Sequence, residues 1–118
     1  MAFEGSLVSV VIPVRNGERF INETLASALA QTYEPLEVVV VDDGSTDRTA
    51  VVVEAAALRD NRIRLFRTQR FGVASARNFG ISQARGGLIA PLDADDLWHP
   101  EKIARQVYVI QTLSLIHI

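Results

Sequence analysis

"LEVVVVDDGSTD", residues 36–47, decides how the rest of the chain is read. Val38 to Val41 form an unbroken β-branched run, so neither side of that strand is suited to water. Strands covered on both sides belong to parallel sheets, where crossover connections lay helices on the two faces. Gly44 then permits a tight turn. Ser45 or Thr46 is expected to cap a helix over 47–60. A buried strand followed at once by a capped helix is half of a βαβ unit.

The flanking sequence repeats the unit. "LVSVVIP" (7–13) is expected as a strand stopped by Pro13. "GERFINETLASALAQ" (17–31) places Phe20, Ile21, Thr24, Leu25, Ala28 and Leu29 on one helical face. "RIRLFR" (62–67) alternates arginines with Ile63 and Leu65, as a strand nearer the sheet edge would. "VASARNFGISQAR" (73–85) reads as a helix ended by Gly86-Gly87, and "GLIAPL" (87–92) as a fourth strand. Pro100 suits the first position of a helix opening "PEKIARQVYVI". The sum is an α/β chain of (βα)4 type: a Rossmann-like parallel sheet, right-handed crossovers, helices on both faces.

Bulk properties narrow the function. With 118 residues, 48% hydrophobic and 22% charged, the chain suits one modest domain. Its 14 acids and 12 bases nearly balance, which argues against nucleic acid held on a broad basic surface. The absence of cysteine excludes disulfides, thiolate metal sites and a cysteine nucleophile. No signal peptide is expected from the opening residues, and no apolar run is long enough to span a bilayer.

In sheets of this kind ligands bind beyond the carboxyl ends of the strands. Three polar clusters fall there: "RNG" (15–17), "DDGSTD" (42–47) and "LDADD" (92–96). They are expected to converge on one crevice. Asp42 and Asp43 can serve as a plain strand–turn–helix joint. Alternatively, a carboxylate held just past the strand can accept hydrogen bonds from a ribose or a base edge, and Asp43, nearer the turn, is better placed. In "LDADD", alternation along a strand end would send Asp93 and Asp95 to one side. Hard oxygen ligands in an incomplete shell suit Mg2+ or Mn2+, with water and phosphate filling the other positions. Asp-x-Asp alone also describes an ordinary acidic turn; after "DDGSTD" in a (βα)4 frame it says more. "FGVASARN" (71–78) offers Gly72 and a helix start that can meet phosphate, together with Arg77 and Asn78; the other reading pairs Arg77 with an acid and Asn78 with backbone. Trp98 is expected to pack beneath the acidic loop, and His99 to stand where the last helix begins.

Together these stretches, from "SVVIPVRNGERF" through "VVVVDDGSTD" and "GVASARNFG" to "LIAPLDADDLWHP", resemble the N-terminal half of a family 2 glycosyltransferase of GT-A fold, over residues 6–112. The resemblance implies strand order 3-2-1-4 and a nucleotide-diphosphate sugar as donor. By position, Pro13 and Val14 would line the nucleoside pocket and Asp43 would bind the base. Gly72 and Arg77 would belong to the donor site. Asp93 would lie by the ribose and diphosphate, and Asp95 would coordinate the divalent metal, Mg2+ or Mn2+. Many relatives carry "YN" where this chain has Arg15-Asn16, so the wall facing the base is altered.

The family continues for another hundred or more residues, which supply the acceptor site and a carboxylate general base. No catalytic residue is therefore assigned here, and the chain alone is expected not to turn over. "LSLIHI" (113–118) reads like the translation of a transposon-end sequencing adapter, and is expected to be non-native; a native helix end is the other reading. Inverting transfer, a cytoplasmic location and membrane contact only through other regions are family expectations; the acceptor is unassigned. Rival readings fit less well. A nucleotidyltransferase wants a glycine-rich basic loop after its first strand, and "PVRNGERF" has one glycine. A receiver module wants its acidic pair after strand one and a late lysine, whereas the one lysine here is Lys102 in the last helix. A noncatalytic sugar-nucleotide-binding relative is not separable at this level.

Overall fold

The computed structural model describes residues 5–116, with side chains to residue 110; His117 lies outside. Four strands alternate with four helices: β1 (Val8–Val14), α1 (Ile21–Leu29), β2 (Leu36–Asp43), α2 (Thr49–Arg59), β3 (Ile63–Thr68), α3 (Val73–Gln83), β4 (Leu88–Pro91) and α4 (Lys102–Ile116). All pairings are parallel and the order is β3-β2-β1-β4. The expected (βα)4 sheet and its strand order are therefore present, with β3 at one edge.

Side-chain alternation divides the core into two layers. Val10, Ile12, Val38 and Val40 meet Ile21, Leu25, Val53 and Ile103 on the face covered by α1, α2 and α4. Val11, Val39 and Val41 meet Ala76, with Phe66 and Phe79 packed alongside, on the face that α3 covers. Helix α3 lies very close to the sheet. A Cβ at Gly80 would sit 2.6 Å from Val11 Cγ1 and 3.0 Å from Val41 Cγ2, so the missing side chain sets the distance between the layers.

Several local expectations change. Pro13 does not stop β1 but lies within it, paired in register with Val41. Val11 accepts from the Leu92 N–H, so Pro13, two residues on, also turns its backbone toward β4. That strand has already ended at Pro91, and no ladder donor is lost. Helix α1 begins at Ile21, because the N–H groups of Phe20 and Ile21 both donate to Gly17 O in a preceding turn. Phe20 is consequently exposed rather than on the packed face. Neither Ser45 nor Thr46 caps α2, whose N-cap Arg48 carries no side-chain cap; Asp47 Oδ1, just before it, accepts from the Thr49 N–H at 2.9 Å. Helix α3 closes at Gln83, before the two glycines. Pro100 precedes α4 in a turn, and the cap on α4 comes from a distance: Gln31 Oε1 accepts from the Ile103 N–H at 3.0 Å. His99 does stand at that turn, its Nδ1 accepting from the Glu101 N–H at 3.1 Å.

At the amino ends of the strands lies a buried polar cluster that the sequence did not announce. Glu37 accepts from Ser9 Oγ at 2.6 Å, Arg64 Nη1 at 3.0 Å and the Arg85 N–H at 2.8 Å. Burial pushes its carboxyl up, but those three donors outweigh it and hold the carboxyl below the usual range. Arg64 also donates to Gln83 O at 3.0 Å, which ties the end of α3 to the sheet.

Candidate functional site

The polar clusters do gather at the carboxyl ends of the strands. Alternation along β2 separates its two terminal acids. Asp42 follows Val38 and Val40 onto the face of α1 and α2. There its Oδ1 accepts from the Ser45 N–H at 3.1 Å, and Arg67 Nε stands 3.5 Å from Oδ2. Asp43 follows Val39 and Val41 onto the face of α3. Its Oδ1 accepts from Thr68 Oγ1 at 2.6 Å and the Phe71 N–H at 2.7 Å, and its Oδ2 from the Gly72 N–H at 2.8 Å. Burial raises the Asp43 carboxyl, yet these hydrogen bonds, with the charge of Arg15 behind them, keep it below the ordinary aspartate value. Three of about four lone-pair positions on the carboxylate are used, leaving one.

Asp43 lines a cavity of about 390 Å³ together with Pro13, Val14, Arg15, Arg70 and Gly72. The loop forming its far wall is shaped by backbone geometry. Arg70 takes φ +58° and Gly72 φ +99°. A Cβ on Gly44 would meet Arg70 N at 3.0 Å, so a glycine there lets the two loops touch. Gly72 is the N-cap of α3 and carries no side-chain cap. The Phe71 and Gly72 N–H groups point to Asp43, while the first-turn amides behind them still need acceptors.

A second cavity, of about 330 Å³, adjoins the first: Pro13, Val14, Arg15 and Val73 line both, and Asp93 and Asp95 line only the second. Asp93 and Asp95 do not gain their shared outlook from strand alternation, since β4 ends at Pro91. Residues 93–96 form a turn, closed by the Asp96 N–H donating to Asp93 O at 3.0 Å. Thr24 Oγ1 donates to Ala94 O and pins that turn to α1. Arg77 Nη2 lies 3.5 Å from Asp93 Oδ1, joining α3 to the acidic turn. Among the described residues no cluster of three or more His, Cys, Asp or Glu side chains forms. A cation here would thus have an incomplete protein shell, as a nucleotide-bound Mg2+ or Mn2+ does. Trp98 is half-buried against the core, with Lys102 Nζ 5.4 Å from its ring centre.

The loop after β1 is locked to the loop after β2, which sequence reasoning missed. Asn16, at φ +53°, donates its N–H to Ser45 Oγ at 2.8 Å and accepts from the Thr46 N–H at 2.8 Å. The Gly17 N–H donates to Thr49 Oγ1 at 2.9 Å. Asparagine's tolerance of a left-handed backbone was the one available signal.

Comparison with known proteins agrees with the fold and the motifs. Residues 9–115 match Glycosyl transferase family 2, and the chain belongs to that family, with the fold of the N-terminal part of GT-A structures. It is 43% identical over 108 residues to an uncharacterized glycosyltransferase of Rickettsia felis, covering 92% of this chain and 18% of that protein. It resembles S. aureus TarS 1–349 in complex with UDP-GlcNAc at TM-score 0.78 and 33% identity, over 87% of this chain and 30% of that one. It also resembles the mannosyltransferase PcManGT of Pyrobaculum calidifontis in complex with GDP-Man and Mn2+, at TM-score 0.79 and 33% identity. That match covers 90% of this chain and 32% of the other. The chain thus spans about a fifth to a third of the length of these proteins. Among the described residues no helix is long and apolar enough to cross a membrane.

Proposed function

We propose that the paired cavities form the donor site of a metal-dependent glycosyltransferase, which moves a sugar from a nucleotide-diphosphate sugar to an acceptor. The observation that carries this reading is the shared wall of Pro13, Val14, Arg15 and Val73, with Asp43 at one end and Asp93 and Asp95 at the other. In this reading the nucleoside lies in the first cavity, against Pro13 and Val14, with the remaining acceptor position of Asp43 toward a base N–H. Gly72 keeps the wall low where the nucleotide passes, and the amino end of α3 faces phosphate. Asp93, steadied by Arg77, stands by the ribose and diphosphate, and Asp95 holds Mg2+ or Mn2+. The ion that Asp95 would hold would supply positive charge to the departing diphosphate.

The 118-residue chain alone is proposed to bind donor without transferring sugar. Inverting transfer needs a base beside the acceptor hydroxyl. The acid that follows Asp96 is Glu101, and Arg105 already engages it at 2.9 Å. Calorimetric titration of UDP-, GDP- and dTDP-sugars with and without Mn2+ tests the reading. Metal-dependent binding of one of them is the expected result, and binding of none would overturn it. Sugar transfer by the purified chain would overturn the second statement alone.

A further inference from the structure

Arg15 occupies an unusual place. It lines both cavities, whereas Arg70 lines only the one with Asp43. Its backbone is held from both sides. Val14, before it, ends β1, and Asn16, after it, is clamped to Ser45 and Thr46. Its side chain is not held. Arg15 is exposed, and among the described residues its guanidinium makes no hydrogen bond or salt bridge, though its charge reaches Asp43. A fixed backbone carrying a free guanidinium is what a ligand-facing cation requires.

Charge balance says which part of a ligand it would face. The second cavity carries two carboxylates, Asp93 and Asp95, and Arg77 is already beside Asp93. A diphosphate brought in there, even with one divalent cation, leaves uncompensated negative charge. Arg15 is the cation on the wall between the two cavities, and a planar guanidinium matches phosphate oxygens in a two-point contact.

We infer that Arg15 grips the diphosphate of the bound nucleotide, acting as a fixed positive charge alongside the metal at Asp95. This rests on the donor-site reading above and adds a residue to it. Affinity that the metal alone would otherwise supply is then shared with the protein.

The test titrates uridine, UMP and UDP, and their guanine and thymine counterparts, into the 118-residue chain and its Arg15→Ala and Arg15→Lys variants, with Mn2+ present. Circular dichroism checks that the exposed substitutions leave the fold intact. For the nucleotide that the unaltered chain binds, Arg15→Ala should weaken the diphosphate about tenfold or more, the scale of one charged hydrogen bond. Binding of the nucleoside should change less than about twofold, and Arg15→Lys should fall between. Equal losses on nucleoside and diphosphate would mean that Arg15 only covers the base. No loss on either would mean that it does not touch the nucleotide. Either result overturns the inference and leaves the donor site standing. Failure of the unaltered chain to bind any of the nine ligands removes the donor site, and the inference with it.

Discussion

Asp43 at the end of β2 accepts the Gly72 N–H, 2.8 Å away, and Gly72 is the residue from which α3 starts. One carboxylate therefore sets where the helix begins and lines the cavity beside it. Asp43→Asn keeps the size but exchanges an acceptor oxygen for an NH2 group that faces donors. Leaving these part-buried donors unmatched costs on the order of 1 kcal/mol. A denaturant melt should show that loss, with nucleotide affinity falling in parallel; an unchanged midpoint would contradict the assigned role.

Asp95 is exposed, and its side chain takes part in no hydrogen bond or salt bridge among the described residues. Asp95→Ala should therefore leave the melting curve within about 0.5 kcal/mol of the unaltered chain. It should also abolish the difference in nucleotide binding with and without Mn2+. A metal effect that survives the substitution would move the cation elsewhere.

Gly80→Ala tests the spacing between α3 and the sheet. The new methyl would collide with Val11, and either α3 or the strand must move. Overpacking of this kind destabilises by about 1–3 kcal/mol. Because α3 carries Arg77 and begins at Gly72, nucleotide affinity should fall as well. Thermal unfolding and calorimetry on the same sample would read both.

Acid should undo the fold through Glu37 and Asp43, both held below ordinary carboxylate values. The unfolded chain takes up these protons first as pH falls. The stabilisation is therefore complete above the ordinary carboxylate pKa, near 4, and disappears as pH drops through the lower folded values. Melts at a series of pH values from about 6 to 3 should show that decline. Glu37→Gln should flatten it, and an equally steep slope in that variant would assign the acid sensitivity elsewhere.

The sheet was legible because its signals are local and redundant: β-branched runs, helical periodicity, and glycines at turns. Asp43 was legible as a candidate for an incomplete reason. Nearness to the turn matters less than parity, which puts it on the same face as Val39 and Val41 and so toward α3. The outlook shared by Asp93 and Asp95 was anticipated, but through strand alternation, whereas a turn pinned by Thr24 produces it. The Asn16 clamp, the Gln31 cap on α4 and the Ser9–Glu37–Arg64 cluster depend on partners 27 or more residues away, and Arg70 meets Asp43 only across the cavity. No periodicity in the sequence reports such pairings. The family resemblance supplied the sugar donor and the transfer reaction, and residue types and spacing by themselves stop at a crevice suited to a divalent cation, phosphate and a ribose or base edge.

Among the described residues β1 is the one strand paired with β4, and the other flank of β4 has no strand beside it. Leu88 and Leu92 donate to β1, so the backbones of Ile89 and Pro91 point the other way. Proline has no N–H to give, which leaves Ile89 as the single strand amide on that flank. A second copy trying to zip onto it would meet a ladder with a missing rung. Within the described residues, that flank of β4 therefore offers an incoming strand one amide and a proline gap.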